Sequence, residues 1–97
     1  MLDKLTMGSF EPHKGSGFTI DTPQHKETLS LVEVTAGKQQ TEDRRSFSVL
    51  FRGSSTETLI HSQIVPLEHP EMGRLEIMIS PVARNDDGTF NYEAVFN

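Results

Sequence analysis

The sequence contains no cysteine, so it can form no disulfide and offers no thiolate as a nucleophile or as a ligand for zinc or an iron–sulfur cluster. Long apolar runs are also missing, since no segment approaches the ~18 apolar residues that a membrane-spanning helix needs. The first residues, Met1 to Leu5, lack the basic stretch and apolar run of a secretory signal. These absences predict a cytoplasmic protein that does not enter a membrane.

Basic residues are scarce, with nine Lys and Arg against fourteen Asp and Glu and a formal net charge of -5. Such a charge repels nucleic-acid phosphates and anionic membrane surfaces, so another protein is the expected partner rather than nucleic acid or a membrane. The 97 residues suffice for one hydrophobic core but not for a core plus a separate catalytic lobe. We therefore expect a single domain over residues 1–97, as a monomer or a small homo-oligomer.

Short runs in which apolar and polar residues alternate, bounded by Gly, Pro, Asn and Asp, predict β-strands. The clearest run places Phe47, Val49 and Phe51 on one face. A second run covers residues 74–81, and the closing run, residues 90–97, puts its aromatic residues on one face. That aromatic face of the last strand is expected to fill a core.

Three further segments give less regular signals. Leu29 and Leu31 share one parity while Val32 and Val34 share the other, which predicts either a bulge near residues 31–32 or burial on both faces. The polar stretch from Ala36 to Arg45 is interpreted as a solvated loop. A brief strand around residues 18–20 is predicted to lie at an edge of the sheet.

The fold class follows from about six short strands with only a short helical turn, within residues 2–10, and no long helix between them. Parallel βαβ units are excluded, and an all-β antiparallel meander remains. It is predicted to close into a small barrel, with a two-layer sandwich as the alternative. The barrel is favoured because the sequence does little to protect open edges with proline or inward charge.

The best candidate for a functional site is the segment Glu68-His69-Pro70-Glu71, in which two carboxylates flank an imidazole. These groups could bind a divalent metal or perform acid–base chemistry, but side chains splay apart on a tight turn and no HExxH helix is present. A histidine that bonds the backbone of its own turn is therefore the favoured interpretation. Arg45 and Arg52 flank the strand of Phe47 and could hold an anion or simply balance the acidic residues. The candidate interaction or ligand rim comprises Arg45, Arg52, Glu68, His69 and Glu71.

Other short motifs fit turns better than sites. Residues 15–17, Gly-Ser-Gly, precede a strand rather than a helix, so they do not form a nucleotide loop. Residues 53–56 lack the Gly-x-Ser-x-Gly pattern of a nucleophilic serine, and residues 85–88 lack the alternating acids of a calcium loop. The sequence therefore predicts no enzymatic activity, no cofactor and no bound metal.

Four segments together resemble a family of small bacterial proteins known only as a domain of unknown function. They are Phe10-Glu11-Pro12-His13 followed by Gly17-Phe18, the run from Phe47 to Gly53, the run from Leu67 to Gly73, and the closing Tyr92-Glu93-Ala94-Val95-Phe96-Asn97. The resemblance implies a fold rather than an activity. Its members look as if they are often encoded beside phage-tail-collar-like proteins, which implies an accessory or assembly role. One departure is Ile77-Met78-Ile79, where the family pattern leads us to expect an aromatic residue.

The sequence thus predicts a non-enzymatic module for protein interaction or assembly, which pairs with a larger protein through an exposed strand edge or a turn-rich rim. The alternative is a small-ligand or metal-binding site at the rim, built from Glu68, His69 and Glu71.

Overall fold

The computed structural model describes residues 5–40 and 45–96, and for Gln39, Gln40 and Arg45 it describes the backbone alone. A short helix and a 3₁₀ turn precede six strands. The elements are α1 (Met7–Phe10), the 3₁₀ turn (Glu11–His13), β1 (Gly17–Asp21), β2 (Lys26–Gln40), β3 (Arg45–Arg52), β4 (Gln63–His69), β5 (Gly73–Arg84) and β6 (Phe90–Phe96). The short helical turn expected near the start of the chain is α1.

The six strands pair only with antiparallel neighbours and form a closed ring in the order β1-β2-β3-β6-β5-β4, with β4 returning to β1. This confirms the predicted all-β antiparallel fold, and the closed ring decides between the two architectures left open by the sequence. The chain builds two three-stranded meanders, β1 to β3 and β4 to β6. They join where β3 pairs with β6 and where β1 pairs with β4.

The core lies inside the ring and is filled by the residues that the alternation placed inward. Phe47, Val49 and Phe51 of β3 are buried, and β5 buries every second residue from Leu75 to Ile79. In β6, Tyr92 and Ala94 are fully enclosed, whereas the flanking Phe90 and Phe96 are half-buried and pack against the core. Burial of this apolar surface is the main stabilising contribution in so small a domain.

The irregular parity in β2 marks a β-bulge. Leu31 lies opposite Phe51 and Glu33 lies opposite Leu50, so Val32 is one residue too many for the opposing strand. Leu31 and Val34 are both buried while Val32 is 45% exposed, so the inward face changes parity across the bulge. The predicted bulge is confirmed, and it bends the strand where the ring curves.

Two sequence-based predictions about the strands are wrong. The stretch from Ala36 to Arg45 is not a loop throughout, because β2 continues to Gln40 and β3 begins at Arg45, with Ala36 opposite Phe47 and Gln40 opposite Arg45. The two strands pair again past the end of the apolar pattern, across a second register shift between Ala36 and Gln40, so polar residues stay extended. Residues 41–44 lie outside the described part of the chain.

The predicted edge position of β1 is the second error. β1 pairs with β2 along its whole length and with β4 at Thr19 and Glu68, while β6 pairs with both β3 and β5. Closure of the sheet gives each strand two neighbours, so β6 is paired on both sides, whereas the side of β1 that faces β4 is paired at Thr19 alone.

Phe10 attaches the N-terminal segment to one end of the barrel. Its ring is fully buried, with its centroid 6.4 Å from that of Phe18, 6.1 Å from Phe47 and 5.6 Å from Phe96. A capping box between Thr6 and Ser9 organises the single helical turn that carries it. The start of β1 and the β4–β5 turn lie at this same end, which we call the helix end.

Candidate functional site

His69, the last residue of β4, is turned inward and only 7% exposed. It lies opposite Gly73 across the turn of residues 70–72, and Gly73 adopts a φ of 78°, which favours glycine. The Nδ1 atom of His69 accepts hydrogen bonds from the backbone N–H groups of Glu71, at 3.1 Å, and Met72, at 3.3 Å. His69 therefore holds its own turn, as the favoured interpretation of the sequence predicts.

The other ring nitrogen of His69 reaches across to the segment before β1. Nε2 lies 3.0 Å from Oγ of Ser16, and that hydroxyl donates to the carbonyl oxygen of His13 at 2.6 Å. Because Nδ1 accepts two backbone N–H groups, the proton of the neutral ring sits on Nε2. Hydrogen bonds thus run in one direction, from the imidazole through the hydroxyl to the carbonyl.

This direction decides what the Ser16–His69 pair can do chemically. A serine nucleophile needs a histidine nitrogen with a free lone pair to take its proton, and the opposite ring nitrogen must donate to an orienting acceptor. Here Nδ1 faces two donors and Nε2 carries the proton. The two side chains are as close as those of a catalytic dyad, but the hydrogen bond runs from the imidazole to the serine hydroxyl. The pair therefore joins two segments of the chain and does not activate Ser16.

Electrostatics keep this imidazole neutral. Burial lowers the pKa of His69 below its usual value, a charge on the neighbouring His13 lowers it further, and Glu71 opposes both effects. The ring of His69 packs 4.5 Å from that of His13, edge on, and 4.5 Å from that of Phe18. Protonation would also place a hydrogen on Nδ1, against the two turn N–H groups.

A shallow groove of about 380 Å³ lies beside this cluster at the helix end. His13, Lys14 and Glu71 are among the residues that line it. Nδ1 of His13 lies 3.3 Å from a carboxylate oxygen of Glu71, a contact that becomes an ion pair when His13 is protonated. Both the N-terminal segment and the β4–β5 turn thus contribute polar groups to one surface.

The structure brings only part of the sequence-predicted rim together, because Glu71 and His69 meet in the β4–β5 turn and line the same groove. Glu68 is exposed on the other face of β4, since adjacent residues of a strand face opposite sides, although it borders a second shallow recess with His69. Both nitrogens of His69 already have partners, which leaves no lone pair for a metal. Among residues 5–40 and 45–96, no group of three or more histidine and acidic side chains is arranged to hold a metal ion.

Arg52, one of the two arginines of the predicted rim, lies apart from His69. Since β3 and β4 are antiparallel, Arg52 at the end of β3 and His69 at the end of β4 occupy opposite ends of the barrel. Arg45 is at the helix end, but its side chain lies outside the described residues. Arg52 therefore cannot act as an anion anchor beside His69.

Arg52 instead stabilises the turn between β5 and β6. Its guanidinium donates to Oδ2 of Asp87 at 2.7 Å, while Oδ1 of Asp87 accepts from the backbone N–H of Thr89 at 3.0 Å and its hydroxyl at 2.6 Å. The bonds from Thr89, and then that from Arg52, hold the pKa of Asp87 well below its usual range. The sequence indicated the turn, with Gly88 at a φ of 93°, but not its distant partner.

A feature of the outer surface was missed by sequence reasoning. Ile64 lies directly opposite Met78 across β4 and β5, and Ser80 lies opposite Glu93 across β5 and β6. The pairing of β5 with β6 ends at Ser80 and Glu93, and the same register carried two residues further would bring Met78 towards Val95. Ile64, Met78 and Val95, which we call the apolar row, are 65%, 53% and 60% exposed.

The apolar row leaves only a weak signal in the sequence. Each residue is an apolar side chain on the polar parity of its own strand, and only the arrangement of three neighbouring strands gathers them on one wall. A single isolated apolar residue on a surface needs no explanation, whereas a group of them can mark an interaction site.

These features define a small closed all-β domain in which the polar clusters described above fasten turns and segments to the barrel. The family comparison agrees with the resemblance seen in the sequence. The chain belongs to a family described as a domain of unknown function (DUF6916), whose sequence model matches residues 5–96. No curated protein and no solved structure matches the chain. Within the described residues, no helix has the length and apolar character needed to cross a membrane.

Proposed function

We propose that this domain is a non-enzymatic module for protein interaction or assembly, and that it contacts its partner through the apolar row. The observation that carries the proposal is the pairing of Ile64 with Met78 on the outer wall, with Val95 on the neighbouring strand β6; each of the three is more than half exposed. Apolar surface that a partner covers contributes about 25 cal/mol per Å². A row held on three rigid strands also presents its side chains with little loss of entropy on binding.

The closed sheet shapes the mode of contact. Since β1 and β6 have strand neighbours on both sides, the partner is expected to pack on side chains of the wall and not to add a strand. The reversed polarity of the Ser16–His69 pair supports a role other than nucleophilic catalysis.

Two further parts of the proposal concern the partner and the location. The family resemblance makes phage-tail-collar-like proteins the first partners to test, by association alone. A cytoplasmic location is supported by the absence of cysteine, because small exported domains commonly depend on disulfides.

Affinity capture from lysate of the native host tests the proposal. The wild type is compared with a Met78→Ser, Val95→Ser double variant and with Val82→Ser, which removes an apolar side chain of similar exposure four residues further along β5. We expect a stoichiometric partner, identified by mass spectrometry and reconstituted from purified proteins, to be lost only from the double variant. Equal capture by all three proteins, or none by any, would reject the apolar row as the contact.

A small-ligand site is the second candidate, favoured by the convergence of His13, Lys14 and Glu71 on the groove at the helix end. Its metal version has less support, because both nitrogens of His69 are engaged. Melting temperatures measured with zinc chloride and with inorganic phosphate test both versions. A rise that Glu71→Gln or Lys14→Gln abolishes would favour a ligand site.

A further inference from the structure

The charges beside the apolar row indicate what kind of partner it fits, an inference that rests on the proposed function. Glu76 precedes Met78 by two residues on the same outward face of β5, and Glu93 stands in the same relation to Val95 on β6. Because β5 and β6 are antiparallel, the two carboxylates flank the row on opposite sides, Glu76 next to Met78 and Glu93 next to Val95. Glu33 of β2 and Glu93 of β6 lie on either side of Leu50 of β3, which is paired with both residues.

These carboxylates are weakly compensated within the protein. Glu76 meets Arg74 at 3.6 Å, with both side chains about two-thirds exposed, which makes the ion pair weak. Glu93 and Glu33 form no ion pair within the described part of the chain. Among the described residues, Lys38 is the cation that lines a shallow recess of about 370 Å³ beside Val95 and Glu93. Glu33, Glu76 and Glu93 outnumber Arg74 and Lys38 around the row, and the whole protein has a net charge of -5.

Size argues against a second copy of this chain as the occupant. Specific interfaces between folded proteins use about 20–30 residues a side and bury about 800 Å² on each partner. Three side chains provide much less. Face-to-face packing of two copies would also bring Glu76 and Glu93 close to carboxylates of the same sign, which is unfavourable in a desolvated contact.

We propose that the apolar row binds a short basic segment of a partner protein, in which two or three apolar anchors are accompanied by lysine or arginine. The anchors cover Ile64, Met78 and Val95, and the cations approach Glu76 and Glu93. Complementary charge then sets the orientation and the association rate, while apolar burial supplies most of the affinity.

Selection from an mRNA-displayed library of short random peptides tests this chemistry directly. Peptides enriched on the wild type are synthesised with a fluorophore, and their binding is measured by anisotropy at low and high salt. We expect enriched peptides to be basic and to carry apolar residues. Met78→Ser should weaken their binding about tenfold, whereas Val82→Ser should leave it unchanged.

The glutamates provide the test that is specific to this inference. The double variant Glu76→Gln, Glu93→Gln should weaken binding at low salt and flatten its salt dependence, while Glu57→Gln, in the exposed loop before β4, should do neither. Circular dichroism and melting temperature confirm that each variant is folded.

Three outcomes would overturn the inference. Enriched peptides that are neutral or acidic would contradict the charge argument, as would unchanged binding by the glutamate variant. Sedimentation that shows a wild-type dimer dissolved by Met78→Ser would make a second copy the occupant. In each case the capture experiment with Met78→Ser, Val95→Ser still decides separately whether the apolar row contacts a host partner at all.

Discussion

At the scale of single residues, three turns are each held by one side chain that accepts hydrogen bonds from backbone N–H groups. His69 does this for the β4–β5 turn and Asp87 for the β5–β6 turn. Glu27, buried at the start of β2, accepts from Ser54 at 2.9 Å and Ser55 at 3.2 Å in the loop after β3. Charged or buried acceptors of this kind contribute more than a neutral exposed hydrogen bond, because an unmatched backbone N–H would be costly.

The turn role of His69 could be predicted from its neighbours Pro70 and Gly73, since turn chemistry is local in sequence. Its bond to Ser16 could not, because the two residues are 53 positions apart and meet only through closure of the ring. The same holds for Arg52 and Asp87. The polar residues therefore predicted the local turns correctly, but they did not predict the partners that are distant in sequence.

Stability should fall in acid because of His69. In the folded protein its pKa lies below the usual value of about 6.5, so the unfolded chain binds more protons as the pH falls through that value. The stabilising contribution is present above about pH 6.5 and is lost progressively below it. His13 and Glu71 are the titratable groups that contact this ring or its partners. Denaturant unfolding at pH 7.5 and pH 5 measures the loss.

A matched pair of variants isolates this effect. His69→Gln keeps an acceptor for the turn but does not titrate, so its stability should fall less between the two pH values. His61→Gln removes an exposed histidine of the loop before β4 and should reproduce the wild-type fall. An equal fall in the His69 variant would show that another group is responsible.

At the scale of the strands, local sequence patterns predicted well which segments form strands and poorly where those strands begin and end. The alternation of Phe47, Val49 and Phe51 is a property of five consecutive residues, so β3 could be recognised without knowing its neighbours. The polar end of β2 up to Gln40 is a strand only because β3 pairs with it. Pairings such as that of β3 with β6 connect distant residues, and no single strand encodes them.

The bulge in β2 makes a sharp prediction about two valines. Val34→Ala should lower the free energy of unfolding by about 1.5–2.5 kcal/mol, because it removes two buried methyl groups. Val32→Ala, the same change two residues earlier, should alter it by less than about 0.5 kcal/mol, because Val32 is exposed. Without the bulge, Val34 would face outward like Ser30, and Val34→Ala would then destabilise the protein no more than Val32→Ala. Urea unfolding of both variants measures the difference.

At the scale of the whole molecule, closure of the ring is uneven. β3 pairs with β6 from Phe47 to Arg52, whereas β1 and β4 are joined at the single position of Thr19 and Glu68. The seam between β1 and β4 is thus the weakest part of the wall, since local stability follows the number of hydrogen bonds and packed contacts. The barrel should open there first.

Amide hydrogen exchange tests this order. The amides of β1 should exchange faster than those of β3 and β6, yet more slowly than those of the exposed loop around Leu59. Exchange of β1 as fast as that loop would mean that the seam is open in solution. Equally slow exchange in β1 and β3 would mean that the ring opens only when the whole domain unfolds.

The loop from residue 53 to residue 62 joins two meanders that otherwise meet only through their walls. Its first part is fastened to β2 by Glu27, and its last part is fastened to β6, where Tyr92 Oη accepts from the backbone N–H of Ile60 at 3.0 Å. Between these anchors, residues 56–59 are exposed, and the N–H groups of Glu57 and Thr58 donate to Oγ of Ser55 within the same loop. The barrel can therefore be regarded as two complementary halves. A chain severed between Glu57 and Thr58 should yield fragments that reassemble non-covalently, which suits this small scaffold to use as a split reporter of proximity.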